Sequence, residues 1–259
     1  MDTICLDLGS EVLRAGTADG AVAELRPAQR PVQRGMVVDL DALDRSLMGL
    51  VSRKRGRPLA ISTPAGPPAD EVRSSLEATA RLLRARTFSA VPAPLAALRG
   101  AGAPGPALVV DLGAELTEVS WVEASGFQIG TSLPWGINDL RHALWSHLDE
   151  RYGVTFPPSE LGDHWAGSTV AARCRVSRAT RVIRVTAEDV EHVLNDRREQ
   201  IRRLVQRLER ASQRADAQHL LVGGGAMLPD LRRRLLPPGV RWQIPRQPAH
   251  AVVAGLRAA

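Results

Sequence analysis

The 259-residue sequence predicts an α/β fold built from two related halves. Two observations carry this expectation. Short apolar runs alternate with amphipathic stretches along the whole chain, the pattern of strands and helices packed in layers. One segment also occurs twice: ICLDLGSEVL at 4–13 returns as LVVDLGAELT at 108–117, so that Asp7, Leu8, Gly9 and Glu11 match Asp111, Leu112, Gly113 and Glu115. Each copy reads as an apolar strand, a turn carrying Asp and Gly, and a second strand, and each copy opens one half of the chain.

Taken in order, strands are expected at 3–8, 12–17, 58–62, 87–91, 107–111, 116–122, 127–133 and 219–222. Helices are expected to begin near Asp39, Pro68, Pro92, Gly136, Pro158 and Ala187. Across 186–211 the apolar residues Val190, Val193, Leu194, Ile201, Leu204, Val205, Leu208 and Ala211 keep a helical rhythm. Val170–Val176 and Arg181–Val185 flank a short turn and read as a small hairpin. Gly100–Pro106 is rich in Gly, Pro and Ala and reads as the connector, which places the halves at 1–102 and 103–259.

The hydrophobic fraction of 44% and charged fraction of 24% are those of an ordinary globular chain. Aromatics make up only 3%, so Leu, Val and Ala must fill the interior. Trp121, Trp135, Trp145, Trp165 and Trp242 are spread through expected elements and read as core residues. The net charge is +6 and nearly all of the positive charge is Arg, with Lys54 the only lysine. Most arginines lie beside Asp and Glu on helical stretches, as on solvated helix faces. Cys5 and Cys174 form neither a disulfide framework nor a metal spacing, and Cys5 reads as a buried strand residue. His142 and His147 do not share a helix face, so no metal site is expected there. The N-terminus has no basic stretch followed by an apolar one, as a signal peptide would. No apolar run approaches the roughly 20 residues of a membrane helix. The expected location is the cytoplasm, with room for membrane association.

The repeated turn carries specific chemistry. A strand that ends in Asp-x-Gly and returns as a hairpin offers backbone N–H groups at its tip, and Gly lets a phosphate approach closely. Asp7 and Asp111 suit a hydrated Mg²⁺, a hard cation that prefers oxygen ligands. A third element, LLVGGGAMLPDL at 220–231, runs an apolar strand into Gly223, Gly224 and Gly225 and then a helix. Three glycines admit a flat ring or ribose without side-chain obstruction. A nucleotide is therefore expected between Asp7, Gly9 and Ser10, Asp111 and Gly113, and Gly223–Gly225.

This order of elements resembles the actin superfamily, and within it the bacterial actins of the MreB type. RGMVVDLDAL at 34–43 looks like the family's approach to its first crossover helix, and PLAISTPAGPPADEVRSSLEATA at 58–80 is similar to the strand, turn and helix that follow. VPAPLAALRGAG at 91–102 looks like the family's connecting segment, ALVVDLGAELTEV at 107–119 resembles its second phosphate hairpin, and LLVGGGAMLPDL its adenosine loop. PRQPAHAVVAGLRAA at 245–259 looks like the closing helix. The resemblance implies an actin-like fold, two ribonuclease-H-like duplicated halves around a cleft for ATP with Mg²⁺. It also implies a role in cell shape and the cell-wall cytoskeleton, with other bacterial actins or cell-wall synthesis proteins as partners, and self-association.

The chain departs from that pattern in several places. Only about two dozen residues separate the first hairpin from Arg34, where the family places a whole small subdomain, so one small subdomain is expected to be missing. The other is reduced, to roughly 153–195. Glu11 stands where the family has a small or neutral residue, Ala114 and Glu115 where it has two glycines, and the two glutamates face either the cleft or solvent. Glu118 matches the family's hydrolysis-linked acid, and Glu160 its adenosine-side glutamate. Ala93 replaces the acidic or amide residue that supports the attacking water, Asp163 replaces a lysine, and Ile137 and Asn138 replace a Gly-Asp pair. The activity implied is at most a weak ATPase. A small-molecule kinase of the same superfamily and a nucleotide-independent adaptor are the rival readings. SRKRGRP at 52–58 is the one dense basic cluster. Its Arg55-Gly56-Arg57-Pro58 core resembles a minor-groove hook, whereas Arg53, Lys54, Arg55 and Arg57 on an exposed loop suit anionic lipid. Nucleic acid is the less favoured partner of the two.

Overall fold

The computed structural model describes residues 3–17, 22–51, 56–65, 70–123, 125–157, 165–213 and 217–258. The helix expected from Pro158, together with Glu160 and Asp163, lies outside the described residues, as do Arg53, Lys54 and Arg55. Arg57 is described, and its carbonyl accepts the N–H of Arg86.

The first stretch of chain runs β1 (Ile4–Leu8), β2 (Leu13–Thr17), β3 (Ala23–Leu25), β4 (Val32–Gln33), β5 (Met36–Val37), α1 (Leu40–Val51), β6 (Leu59–Thr63), α2 (Asp70–Leu82), β7 (Phe88–Pro92) and α3 (Ala93–Gly100). The second runs β8 (Ala107–Leu112), β9 (Thr117–Glu123), β10 (Gly126–Leu133), α4 (Ile137–Tyr152), β11 (Val154–Thr155), β12 (Thr169–Cys174), β13 (Thr180–Arg184), α5 (Ala187–Ser212), β14 (Gln218–Val222), α6 (Pro229–Leu235), β15 (Trp242–Gln243) and α7 (Ala251–Arg257). The strands assemble two five-stranded sheets of the same design, β3-β2-β1-β6-β7 and β10-β9-β8-β14-β15. In each, a three-strand antiparallel meander leads into two parallel strands. The sequence repeat is thus a repeat of topology. The central strands β1 and β8 are apolar at nearly every position because both faces of a sheet covered by helices are buried.

Three apolar clusters organise the interior. One joins β1, β2 and β6 to α1 and α2. Another joins the second sheet to α4, α5 and α6 and to a three-stranded sheet, β11-β12-β13, inserted between α4 and α5. The third lies between the two large sheets and is built on α3 and α7, with Cys5 and Ala60 on one side and Val109, Val122, Leu220 and Val222 on the other. Here α7 packs on β1, β2 and β6, while α3 also packs on β8, β9 and β10. The two helices meet backbone to backbone: a side chain on Gly100 would collide with the Ala251 carbonyl, and one on Gly255 with the Ala96 carbonyl.

Helix ends follow local chemistry. Asp39 caps α1 by accepting the Ala42 N–H at 2.8 Å. Thr186 and Asp189 form a capping box at the start of α5, which runs unbroken over the stretch whose rhythm predicts it. Between β3 and α1 the chain holds only the β4–β5 hairpin, turning through Arg34 and Gly35 at φ +47° and +77°. Strands β3, β4, β5, β11 and β15 span two or three residues each and carry no periodicity from which a strand is read.

Candidate functional site

The two repeated turns are alike in detail. A Cβ on Gly9 would lie 2.5 Å from the Val12 carbonyl oxygen, and one on Gly113 would lie 2.8 Å from that of Leu116. Each turn folds back so tightly that only glycine fits. The strand registers then set what faces each aspartate. Asp7 pairs with Arg14 across β1–β2, and Asp111 pairs with Glu118 across β8–β9. Arg14 and Glu118 are thus the same position in the two copies. The aspartate of the first copy faces a base, and that of the second faces an acid.

Both turns, with Asp7, Gly9, Ser10, Asp111, Gly113 and Glu118, line one cleft of about 540 Å³. Gly223, Gly224 and Gly225 line it too, in the short helical turn that follows β14. A Cβ on Gly223, whose φ is +87°, would strike the Asp111 carboxylate, and one on Gly225 would come within 2.7 Å of Leu112 and Ile137. Gly224 differs: a Cβ there meets nothing within 4 Å. Two glycines of the triplet are demanded by the fold, and the middle one opens on empty space at the cleft wall.

The carboxylates are unusual. Asp7 accepts the Ser62 hydroxyl at 2.9 Å and lies 3.7 Å from the Arg14 guanidinium, yet its burial pushes the carboxyl up from the ordinary value. Asp111 is pushed up to about 8 by burial, with repulsion from Glu118 and Asp7 adding to it. Glu118 is also raised by burial, although its Oε1 accepts the Ala65 N–H at 2.5 Å and the Ser132 hydroxyl at 2.8 Å. The Ala65 bond joins the loop after β6 to β9, so Glu118 ties the two large sheets together across the cleft floor. Arg14 holds Glu24 at 2.7 Å, and Glu24 in turn meets the His250 ring at 2.8 Å. Arg14 and His250 were not singled out from the sequence. The register of the repeat, carried three residues past the turn, points to Arg14.

The two glutamates of the turns both line the cleft. Glu115 is tied at its edge, accepting the Arg34 N–H at 3.0 Å and the Arg30 guanidinium at 3.3 Å. Ala93 and Ile137 also line the cleft, so two of the positions at which the resemblance departs present apolar groups to it. Asn138 sits in the first turn of α4, where its N–H and that of Ile137 bond the carbonyls of Ala114 and Gly113. The start of α4 therefore braces the second hairpin and leaves those donors committed. Among the described residues no three His, Cys, Asp or Glu side chains are grouped to hold a metal ion by themselves.

No family model matches the sequence, and no curated protein matches it. Solved structures do match in shape. MreB5 of Spiroplasma citri bound to AMPPNP superposes with a TM-score of 0.82 at 18% identity, over 99% of this chain and 95% of that one. MamK in its double-helical filament gives 0.78 at 16% identity, over 99% and 98%. The ethanolamine utilization protein EutJ from Carboxydothermus hydrogenoformans gives 0.66 at 20% identity, over 99% and 89%. The chain has the actin-like α/β fold.

Proposed function

We propose that the cleft binds ATP with Mg²⁺ and hydrolyses it slowly or not at all. On this reading the chain is a divergent relative of the bacterial actins that works through self-association and through partners of the cell-shape and cell-wall cytoskeleton. The observation that carries the proposal is the convergence of three glycine turns on one cleft, with open space at Gly224. In this reading the turns at Gly9–Ser10 and Gly113 hold the phosphates, and Gly223–Gly225 lie along the nucleoside. Arg14 supplies positive charge beside the first turn.

The carboxylate chemistry fits a cation. Mg²⁺ is commonly held by one or two carboxylates together with waters and phosphate oxygens. Asp7 and Asp111 are the two carboxylates placed for it, and Asp111, which burial and then the neighbouring carboxylates push up to about 8, would give up its proton to the metal there. Weak hydrolysis follows from Ala93, which cannot orient a water, and from Glu118, whose Oε1 is already taken by two donors. Glu118 remains the candidate catalytic acid, and Glu160 the candidate adenosine contact. AMPPNP in MreB5 and the filament of MamK support the nucleotide and the self-association, respectively. Arg53, Lys54, Arg55 and Arg57 are the proposed contact with anionic membrane. That contact predicts co-sedimentation with anionic vesicles and none with neutral ones.

Titration calorimetry tests the central claim. ATP with Mg²⁺ is expected to bind with Kd below about 1 mM, and less tightly without Mg²⁺. No detectable heat under either condition, with binding absent in a competition assay, would establish a nucleotide-independent adaptor instead.

A further inference from the structure

We infer that the turn of the β4–β5 hairpin is a strap across the mouth of the cleft, and that the Glu115 carboxylate is its latch. The turn belongs to the first stretch of chain and Glu115 to the second, so each latch contact spans the cleft. Glu115 takes two donors from the turn region, the Arg34 backbone N–H at 3.0 Å and the Arg30 guanidinium at 3.3 Å. The Arg34 side chain reaches on to Asp139, at 3.9 Å. Charge-assisted bonds of this kind are stronger than neutral ones.

The backbone is shaped for the task. Arg34 takes the left-handed conformation that a two-residue hairpin loop requires, and its N–H reaches Glu115 from there. Gly35 follows, also left-handed, and crosses so close to Pro64 that a Cβ would lie 2.5 Å from its ring. The same Cβ would lie 3.7 Å from Leu116, on the far side of the cleft. The root of the hairpin is fixed: Val32 is buried in the first core, and the Val37 N–H bonds the Ser75 hydroxyl of α2 at 3.1 Å. The tip has no such anchorage. Met36 and Val38 remain 37% and 51% exposed, and a second cavity of about 470 Å³ lies beside them, lined by Arg30, Arg34, Asn138 and His142. Polar bonds to Glu115 and Asp139, more than apolar burial, hold the tip down.

The latch has a second effect, which rests on the nucleotide reading above. While Arg30 and Arg34 hold Glu115, its negative charge beside the place proposed for the phosphates is partly offset. Breaking the latch from the arginine side frees that charge, whereas removing the carboxylate does not. Arg30→Ala is therefore expected to weaken ATP binding about 5-fold, and Glu115→Gln to preserve or tighten it.

Limited trypsin digestion of the nucleotide-free chain tests the strap, because the Arg34–Gly35 bond lies in the turn and is cut only when the tip lifts. Cleavage of a locally opened segment follows its open population. Loss of a charged partner should raise that population about 10-fold. Glu115→Gln should therefore speed cutting at Arg34 by that factor, and Arg30→Ala by about 3-fold, with cutting at Arg178, in the β12–β13 turn, unchanged. Equal rates at Arg34 in the wild type and both variants, each folded by circular dichroism, would overturn the inference. The digestion needs no ligand, so a failed ATP titration would retire the nucleotide reading and leave the strap standing.

Discussion

Arg14 and Glu118 show how much one side chain changes in a duplicated turn. They hold the same place in two copies of one hairpin, and the exchange of charge leaves Asp7 beside a guanidinium and Asp111 among carboxylates. The glycine triplet makes a comparable distinction. Gly225→Ala should destabilise the protein by about 1–3 kcal/mol, because the added methyl enters a packed wall. Gly224→Ala should leave the melting temperature unchanged and weaken ATP, and a similar melting loss for both would remove the case for open ligand space at Gly224. A different residue governs the join between α4 and α5. Asp189 is fully buried and accepts bonds from Thr186, Arg151, His147 and Tyr152. Burial alone would push its carboxyl up, but the bonds and the Arg151 charge outweigh it and hold it below the ordinary value. Asp189→Ala should cost about 3 kcal/mol at neutral pH. A depressed carboxylate stabilises above its unfolded pKa, about 3.9, and loses that contribution as pH falls through the lower folded value. The melting gap between wild type and variant should therefore narrow below about pH 4, and a gap constant from pH 7 to 3 would contradict this.

At the scale of elements, what the sequence announces depends on length and local repetition. Helix α5 repeats its apolar face from Val190 to Leu208, and the long strands of both sheets sit within a residue or two of where their apolar runs place them. The β4–β5 hairpin has no such signal. Its two-residue loop needs positive φ at both positions, and an arginine stands at the first of them, where the sequence offers no Asn or Gly to announce the turn. The behaviour of Glu115 was illegible for another reason: its partners come from the other half. The glycines of the helices also divide by environment. Gly100 and Gly255 allow α3 and α7 to touch, and Ala at either should cost more than about 2 kcal/mol in thermal unfolding. Gly49, in α1, has nothing within 4 Å of a Cβ, and Gly49→Ala should stabilise by about 0.5–1 kcal/mol. Equal effects at the three positions would mean that helix propensity, not the close crossing, decides.

For the molecule as a whole, the duplication was legible because two turns repeat their residues, and two sheets of one strand order bear it out. The crossing of the halves was not. The helix that ends the described chain is built into the first sheet, and α3 reaches into the second. We therefore expect 1–102 and 103–259, expressed separately, to lack cooperative unfolding, and the intact chain to melt in a single transition by every probe. Two separate transitions, or a stable isolated first half, would disprove that interdependence. The arrangement also bears on how the protein is made. The sheet face that receives α7 is synthesised before any strand of the second sheet, and its helical cover follows the whole of that sheet. Until α7 is made that face, with Cys5 and Ala60, has only α3 to cover it. Uncovered apolar strands make a nascent chain prone to aggregate, so this face is exposed to that hazard for as long as α7 is unmade.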